Sequence, residues 1–164
     1  MEKLVVEALI EIPTGSQNKY EIDKETGRVK LDRVLYSSMF YPAEYGYIEN
    51  TLAADNDPID ILVLTTYPTF PGCLIDARIL GMLEMIDTGE EDVKLIAVAQ
   101  DDPRFDHVES LDDLAPHTLK EIQNFFDTYK LLQNKAVETG RYLGVEDAKK
   151  YLDAAKEEYK KLNK

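Results

Sequence analysis

Cysteine, tryptophan and histidine are nearly missing from this 164-residue sequence, which has one Cys, no Trp and two His. A single thiol, Cys73, excludes an internal disulfide and fits a reducing compartment. With no Cys-x-x-Cys and no His-Glu-x-x-His, the usual zinc frameworks are excluded. His107 and His117 fall in or beside an acidic stretch and read as surface or capping residues. Bases are scarce as well: 19 Lys and Arg face 32 Asp and Glu, a net charge of −13. That balance weighs against nucleic acid and anionic lipid, which are held mainly through Lys and Arg. No apolar run approaches the roughly 18 residues that a membrane span needs. The segment from Met1 to Glu7 lacks the basic start and long apolar stretch of a signal peptide. A cytoplasmic location is therefore expected. Gly-rich phosphate loops and a G-x-S-x-G elbow are also missing.

The hydrophobic share is 44%, enough for a core, and no linker or repeat divides the chain, so one domain over residues 1–164 is expected. Strand signals fill the first two thirds. Val6, Ala8, Ile10 and Ile12 alternate with Glu7 and Glu11. Lys19 to Asp23 alternates too, turns through Lys24-Glu25-Thr26-Gly27, and can pair with Val29 to Leu35. Ile59 to Thr65, Leu74 to Glu84 and Val93 to Ala99 are further strands. Short turns and no long helix separate them, which predicts antiparallel pairing, and a small closed barrel would remove their edges. The last third reads as two helices separated by Gly140 and Gly144. One carries an apolar stripe from Leu119 to Leu132 and the other from Ala148 to Leu162.

The acid is unevenly spread. Residues 84–113 hold eleven acids against Lys94 and Arg104. The sharpest feature lies earlier, at Asp55-Asn56-Asp57-Pro58-Ile59-Asp60, three carboxylates at the entry to an apolar strand. Such crowding is costly without cations, and oxygen-only ligands favour Mg²⁺, Mn²⁺ or Ca²⁺. A calcium loop of EF-hand type wants Gly and Glu where Asp60 and Thr66 stand, so it is excluded. Asp and Asn also form turns before strands, but Asp60 lies inside the apolar run, where no turn residue is needed. Asp87 and Asp92 form a second acidic pair, whose plain reading is a solvated hairpin tip. Residues 101–113, broken by Pro103, read as a solvated loop. Lys19, Arg33, Tyr41, Tyr45, Lys94, Tyr129 and Lys130 are donors suited to phosphate oxygens, or else barrel tyrosines and surface charges. Residue types alone leave open a metal-dependent phosphoryl hydrolase, a non-catalytic nucleotide-binding barrel and an acidic cation-binding protein.

Six segments in order make the sequence resemble the soluble family I inorganic pyrophosphatases of prokaryotic type. Besides the Asp motif these are Glu11-Ile12-Pro13, Lys19-Tyr20-Glu21 with Asp32-Arg33, Phe40-Tyr41-Pro42-Ala43-Glu44-Tyr45-Gly46-Tyr47, Asp87…Asp92-Val93-Lys94, and Phe125-Phe126…Tyr129-Lys130. The resemblance implies an α+β fold: a small five-stranded antiparallel, OB-like β-barrel with two C-terminal α-helices packed outside. It implies hydrolysis of pyrophosphate to two phosphates by in-line attack of a metal-activated water. Asp55, Asp60, Asp87 and Asp92 would hold Mg²⁺, with Mn²⁺ or Zn²⁺ substituting and Ca²⁺ inhibiting. Asp57 would be the general base. Glu11 and Glu21 would act in the second shell or on metal-bound water. Lys19, Arg33, Tyr45, Lys94, Tyr129 and Lys130 would hold the phosphates, and the assembly would be a homohexamer. Thr88 departs from the Glu that many bacterial relatives have there, and Lys135 to Gly140 lacks their Trp. The implied site has seven acids and four bases, so two divalent ions would turn a charge of −3 into +1.

Overall fold

The computed structural model describes residues 3–163. Nine strands and two helices follow in the order β1 (Val5–Ile12), β2 (Asn18–Ile22), β3 (Val29–Val34), β4 (Glu44–Ile48), β5 (Ile59–Leu64), β6 (Leu74–Asp87), β7 (Glu90–Glu91), β8 (Lys94–Ala99), α1 (Pro116–Thr128), β9 (Val137–Gly144) and α2 (Val145–Leu162). Five of them close a ring of hydrogen bonds: β1 pairs β4, β4 pairs β5, β5 pairs β8, β8 pairs β6, and β6 returns to β1. The small α+β barrel expected from the sequence is therefore present. Its pairing is not antiparallel throughout, because β5 and β8 run parallel. β6 lies between them in sequence and is antiparallel to β8. The chain thus reverses twice and re-enters in the direction of β5 without needing a crossover helix.

β6 is fourteen residues long and serves several partners. Its start pairs with β1, its middle with β8, and its end with β7 and β9. The strand β9 corrects the expectation that Gly140 and Gly144 merely separate two helices. A second correction is at α1, which stops at Thr128, leaving Leu132 64% exposed beyond it in a short 3₁₀ turn. Strand β4 was also not foreseen. Gly46 in that strand permits a close approach, since a Cβ there would lie 2.0 Å from the Leu9 carbonyl oxygen of β1.

β5 and β8 are buried on both faces, which explains their continuous apolar runs. One set of their side chains, including Ile61 and Leu95, packs with Ala148, Leu152 and Ala155 of α2. The alternate set, including Leu62 and Ile96, packs with Ile122, Phe125 and Phe126 of α1. β2 and β3 form a separate hairpin, whose turn is held by Asp23 Oδ1 accepting from the Glu25 and Thr26 N–H groups. The acidic 101–113 stretch is more ordered than a plain solvated loop. Buried Arg78 donates to the Phe105 and Val108 carbonyls, and Asp102 accepts from Thr66. Among the described residues no helix is long and apolar enough to cross a membrane.

Candidate active site

A cavity of about 480 Å³ opens where the starts of β5 and β8 meet the hairpin, the tip between β6 and β7, and the end of α1. The sequence motifs reach it from separate directions. The loop before β5 supplies Asp55 and Asp57, and β5 itself supplies Asp60. That loop is folded by the Ala53 N–H donating to the Asp57 carbonyl (2.8 Å), with Asn56 in the left-handed region at φ 66°. The Asp57 N–H caps Asp55 Oδ1 at 3.1 Å. α2 braces the loop from behind, where the Leu52 N–H donates to the Ala155 carbonyl (3.0 Å).

Lys94 begins β8, opposite Asp60 in the parallel register, and is 1% exposed. Its ammonium donates to Asp60 Oδ2 (2.6 Å), Asp92 Oδ1 (2.9 Å) and the Tyr45 hydroxyl (2.7 Å). Burial works against the charge on Lys94, but Asp60, Tyr45 and Asp92 outweigh it and hold the proton well above the usual lysine range. Burial pushes the Asp92 carboxyl up; Lys94 opposes that shift and Asp60 adds to it. At the β6–β7 tip, Asp87 accepts from Thr88 Oγ1 (2.9 Å) and from Lys130 Nζ (2.5 Å). Burial resists ionisation there, yet the bonds from Lys130 and Thr88 win and hold the carboxyl below the usual range.

The hairpin forms the remaining wall. Lys19 Nζ meets Glu21 Oε1 at 2.8 Å and Asp32 Oδ2 at 3.5 Å. Glu11 Oε2 accepts the Ile22 N–H at 2.8 Å, tying the hairpin to β1. Burial pushes the Glu11 carboxyl up to about 7, against the pull of that N–H, with Asp60 adding to the rise. Behind the cavity lies an aromatic layer. Tyr45 sits 5.4 Å from Tyr41, and Tyr129 stacks on Phe125 at 5.0 Å, which holds both phenols in place. Burial raises both the Tyr45 and Tyr129 hydroxyls, so both are protonated donors at neutral pH.

Of the residues singled out in the sequence, Asp55, Asp57, Asp60, Asp87 and Asp92 line this one cavity. Glu11, Glu21, Lys19, Tyr45, Lys94, Tyr129 and Lys130 line it as well. Arg33 does not. It stands across the hairpin from Lys19 and donates to Asp32 Oδ2 at 2.8 Å. Lys24, Tyr20, Tyr47 and Glu90 are cavity residues that the sequence reading did not single out. Glu44 is a further surprise, a carboxylate with no exposed surface. Its two oxygens accept from the N–H and hydroxyl of Thr14 and of Thr69, which pins two loops to the start of β4.

Eight carboxylates and four lysines line the cavity, a formal excess of four negative charges. Among the described residues no three acids already stand as a ligand cage, and lysines pair with Asp60, Asp92 and Asp87. Burial and neighbouring acids nonetheless push the Glu11, Asp55 and Asp92 carboxyls upward, a shift that a nearby cation would oppose. An all-oxygen donor set of this kind fits a hard divalent ion such as Mg²⁺.

A family model described as inorganic pyrophosphatase matches residues 8–160. The chain is 65% identical over 152 residues to the inorganic pyrophosphatase of Geobacillus stearothermophilus, covering 93% of this chain and 92% of that protein. It is 63% identical over 160 residues to that of Halalkalibacterium halodurans, covering 98% of each. The crystal structure of inorganic pyrophosphatase from Thermus thermophilus has the same fold, with a TM-score of 0.92 at 43% identity over 95% of this chain and 91% of that one.

Proposed function

The chain belongs to the inorganic pyrophosphatase family and is an enzyme that hydrolyses pyrophosphate, and we propose that it does so with Mg²⁺, by direct attack of a water for which Asp57 is the general base. The observation that carries this reading is the meeting, in one cavity, of five aspartates with lysines and phenols drawn from five separate parts of the sequence.

Asp55, Asp60, Asp87 and Asp92 would hold the metal. When bound, Mg²⁺ supplies charge neutralisation for the phosphate oxygens and acidifies a nearby water. Mn²⁺ or Zn²⁺ would substitute, and Ca²⁺ would inhibit. The rest falls to the side chains. A carboxylate oxygen of Asp57 takes the proton as the water oxygen bonds to one phosphorus. The bond from that phosphorus to the bridging oxygen breaks, and its electron pair leaves with the second phosphate. Charge grows on that oxygen, and the ammonium groups of Lys94 and Lys130 and the hydroxyls of Tyr45 and Tyr129 are held ready to stabilise it. Lys19, with Arg33 behind it, holds the other end of the substrate. Glu11 and Glu21 act one step out, Glu11 through its bond to the Ile22 N–H. No catalytic Ser, Cys or His is required, because phosphoryl transfer to water needs positioning and charge more than a covalent nucleophile.

The working form is proposed to be a cytoplasmic homohexamer. Large apolar side chains left on the surface support self-association, among them Phe40 (57% exposed), Phe70 (63%) and Leu132 (64%). Light scattering gives the subunit number, and a monomer would refute the hexamer. The catalytic assignment is tested by assaying phosphate release for Asp55→Asn and Asp92→Asn across a Mg²⁺ titration. Both variants should need more Mg²⁺ than the unaltered protein. An unchanged Mg²⁺ requirement would remove those aspartates from the metal site.

A further inference from the structure

Building on the pyrophosphatase reading above, we propose that Lys24 captures the incoming anion at the rim of the cavity. Four lysines line the cavity, and three are already committed to carboxylates. Lys19 meets Glu21 and Asp32, Lys94 meets Asp60 and Asp92, and Lys130 meets Asp87. Lys24 has no carboxylate partner among the described residues. Its ammonium instead lies over the face of Tyr47, 5.4 Å from the ring centroid. A cation on an aromatic face keeps its charge and most of its outward hydrogen-bonding capacity.

Its position suits the role. Lys24 is exposed and lies in the turn that follows β2. It borders both the site cavity and a neighbouring cavity of about 510 Å³, and Tyr47, Ile22 and Pro58 border both as well. An anion arriving from solvent meets a pocket whose carboxylates outnumber its lysines two to one. Lys24 is the cationic group there that need not first give up an acid. A charge at a rim raises the encounter rate and the salt dependence of binding and contributes little to the chemical step. Lys24 should therefore act on kcat/KM and leave kcat comparatively untouched.

The test compares the full chain with Lys24→Met and Lys24→Arg in a Mg²⁺ assay of phosphate release from pyrophosphate, at low and high salt. At low salt kcat/KM should fall about fivefold in Lys24→Met, with kcat falling less than about twofold. The loss should fade as salt rises and the Debye length shrinks, and Lys24→Arg should restore most of it. The same kcat/KM and salt slope in Lys24→Met as in the unaltered protein would overturn the role and leave Lys24 as a packing partner of Tyr47. If the unaltered protein released no phosphate, the pyrophosphatase reading itself would be the failure.

Discussion

Lys94 is almost sealed from water, yet its ammonium joins Asp60, Asp92 and Tyr45. Removing one partner of a buried ion pair strands the other, at a cost of about 3 kcal/mol. In metal-free buffer, Lys94→Met is expected to lower the urea unfolding free energy by about that amount, and an unchanged midpoint would contradict it. Asp102 offers a pH test well away from the site. The Thr66 hydroxyl, the Thr66 and Arg104 N–H groups and the Arg104 side chain hold its carboxyl down at about 2, from an ordinary 3.8. A lowered carboxyl stabilises the fold above its unfolded pKa and loses that effect as pH falls towards 2. The stability gap between the unaltered protein and Asp102→Asn should therefore be full at pH 6 and shrink between pH 4 and 2, as read by denaturant unfolding. A gap that is constant with pH would show that the carboxylate is not the source. At this scale the ordered pattern in the sequence picked out residues such as Asp57 and Lys130, which the fold brings to one cavity. It was silent about Glu44, whose partners lie 30 and 25 residues away. It was silent about Lys24 too, because only the fold shows that the neighbouring lysines are already paired.

At the scale of elements, alternation and turn residues located β1, the β2–β3 hairpin, β5, β6 and β8. They did not show β9, because Val137–Gly144 has an irregular inside–outside pattern and two glycines that read as breaks. They did not show that β5 and β8 run parallel, since strand direction depends on which edges meet when the ring closes. The apolar stripe of α1 was overextended because Leu132 continues the spacing, although the chain turns away after Tyr129. Two glycines mark where strands approach too closely for a side chain. A Cβ at Gly46 would lie 2.0 Å from the Leu9 carbonyl oxygen, and one at Gly81 would lie 2.3 Å from that of Leu143. Backbone is the obstacle in both, so neither strand can yield without breaking its pairing. Gly46→Ala and Gly81→Ala are each expected to cost about 3 kcal/mol or more in thermal or urea unfolding. A loss under about 1 kcal/mol would mean the seams are looser than they stand.

Across the whole molecule, the charge of −13 first reads as weighing against nucleic-acid backbones and anionic lipid. The fold shows how that acid is distributed. Part of it, including Asp102, organises a surface loop, and eight carboxylates surround one cavity. A site with that excess should favour divalent cations, and binding to the native state alone stabilises it by mass action, about 2.7 kcal/mol at a hundredfold excess over Kd. Mg²⁺ is therefore expected to raise the melting temperature and EDTA to reverse the rise. No shift with saturating Mg²⁺ would argue against a metal site. The most direct single measurement is phosphate release from pyrophosphate by the full chain and by Asp57→Asn, each with Mg²⁺ and with EDTA. The expected result is Mg²⁺-dependent release that falls at least about a hundredfold in Asp57→Asn. Equal release by the two proteins, or release unaffected by EDTA, would contradict a metal-assisted hydrolysis with Asp57 as its base.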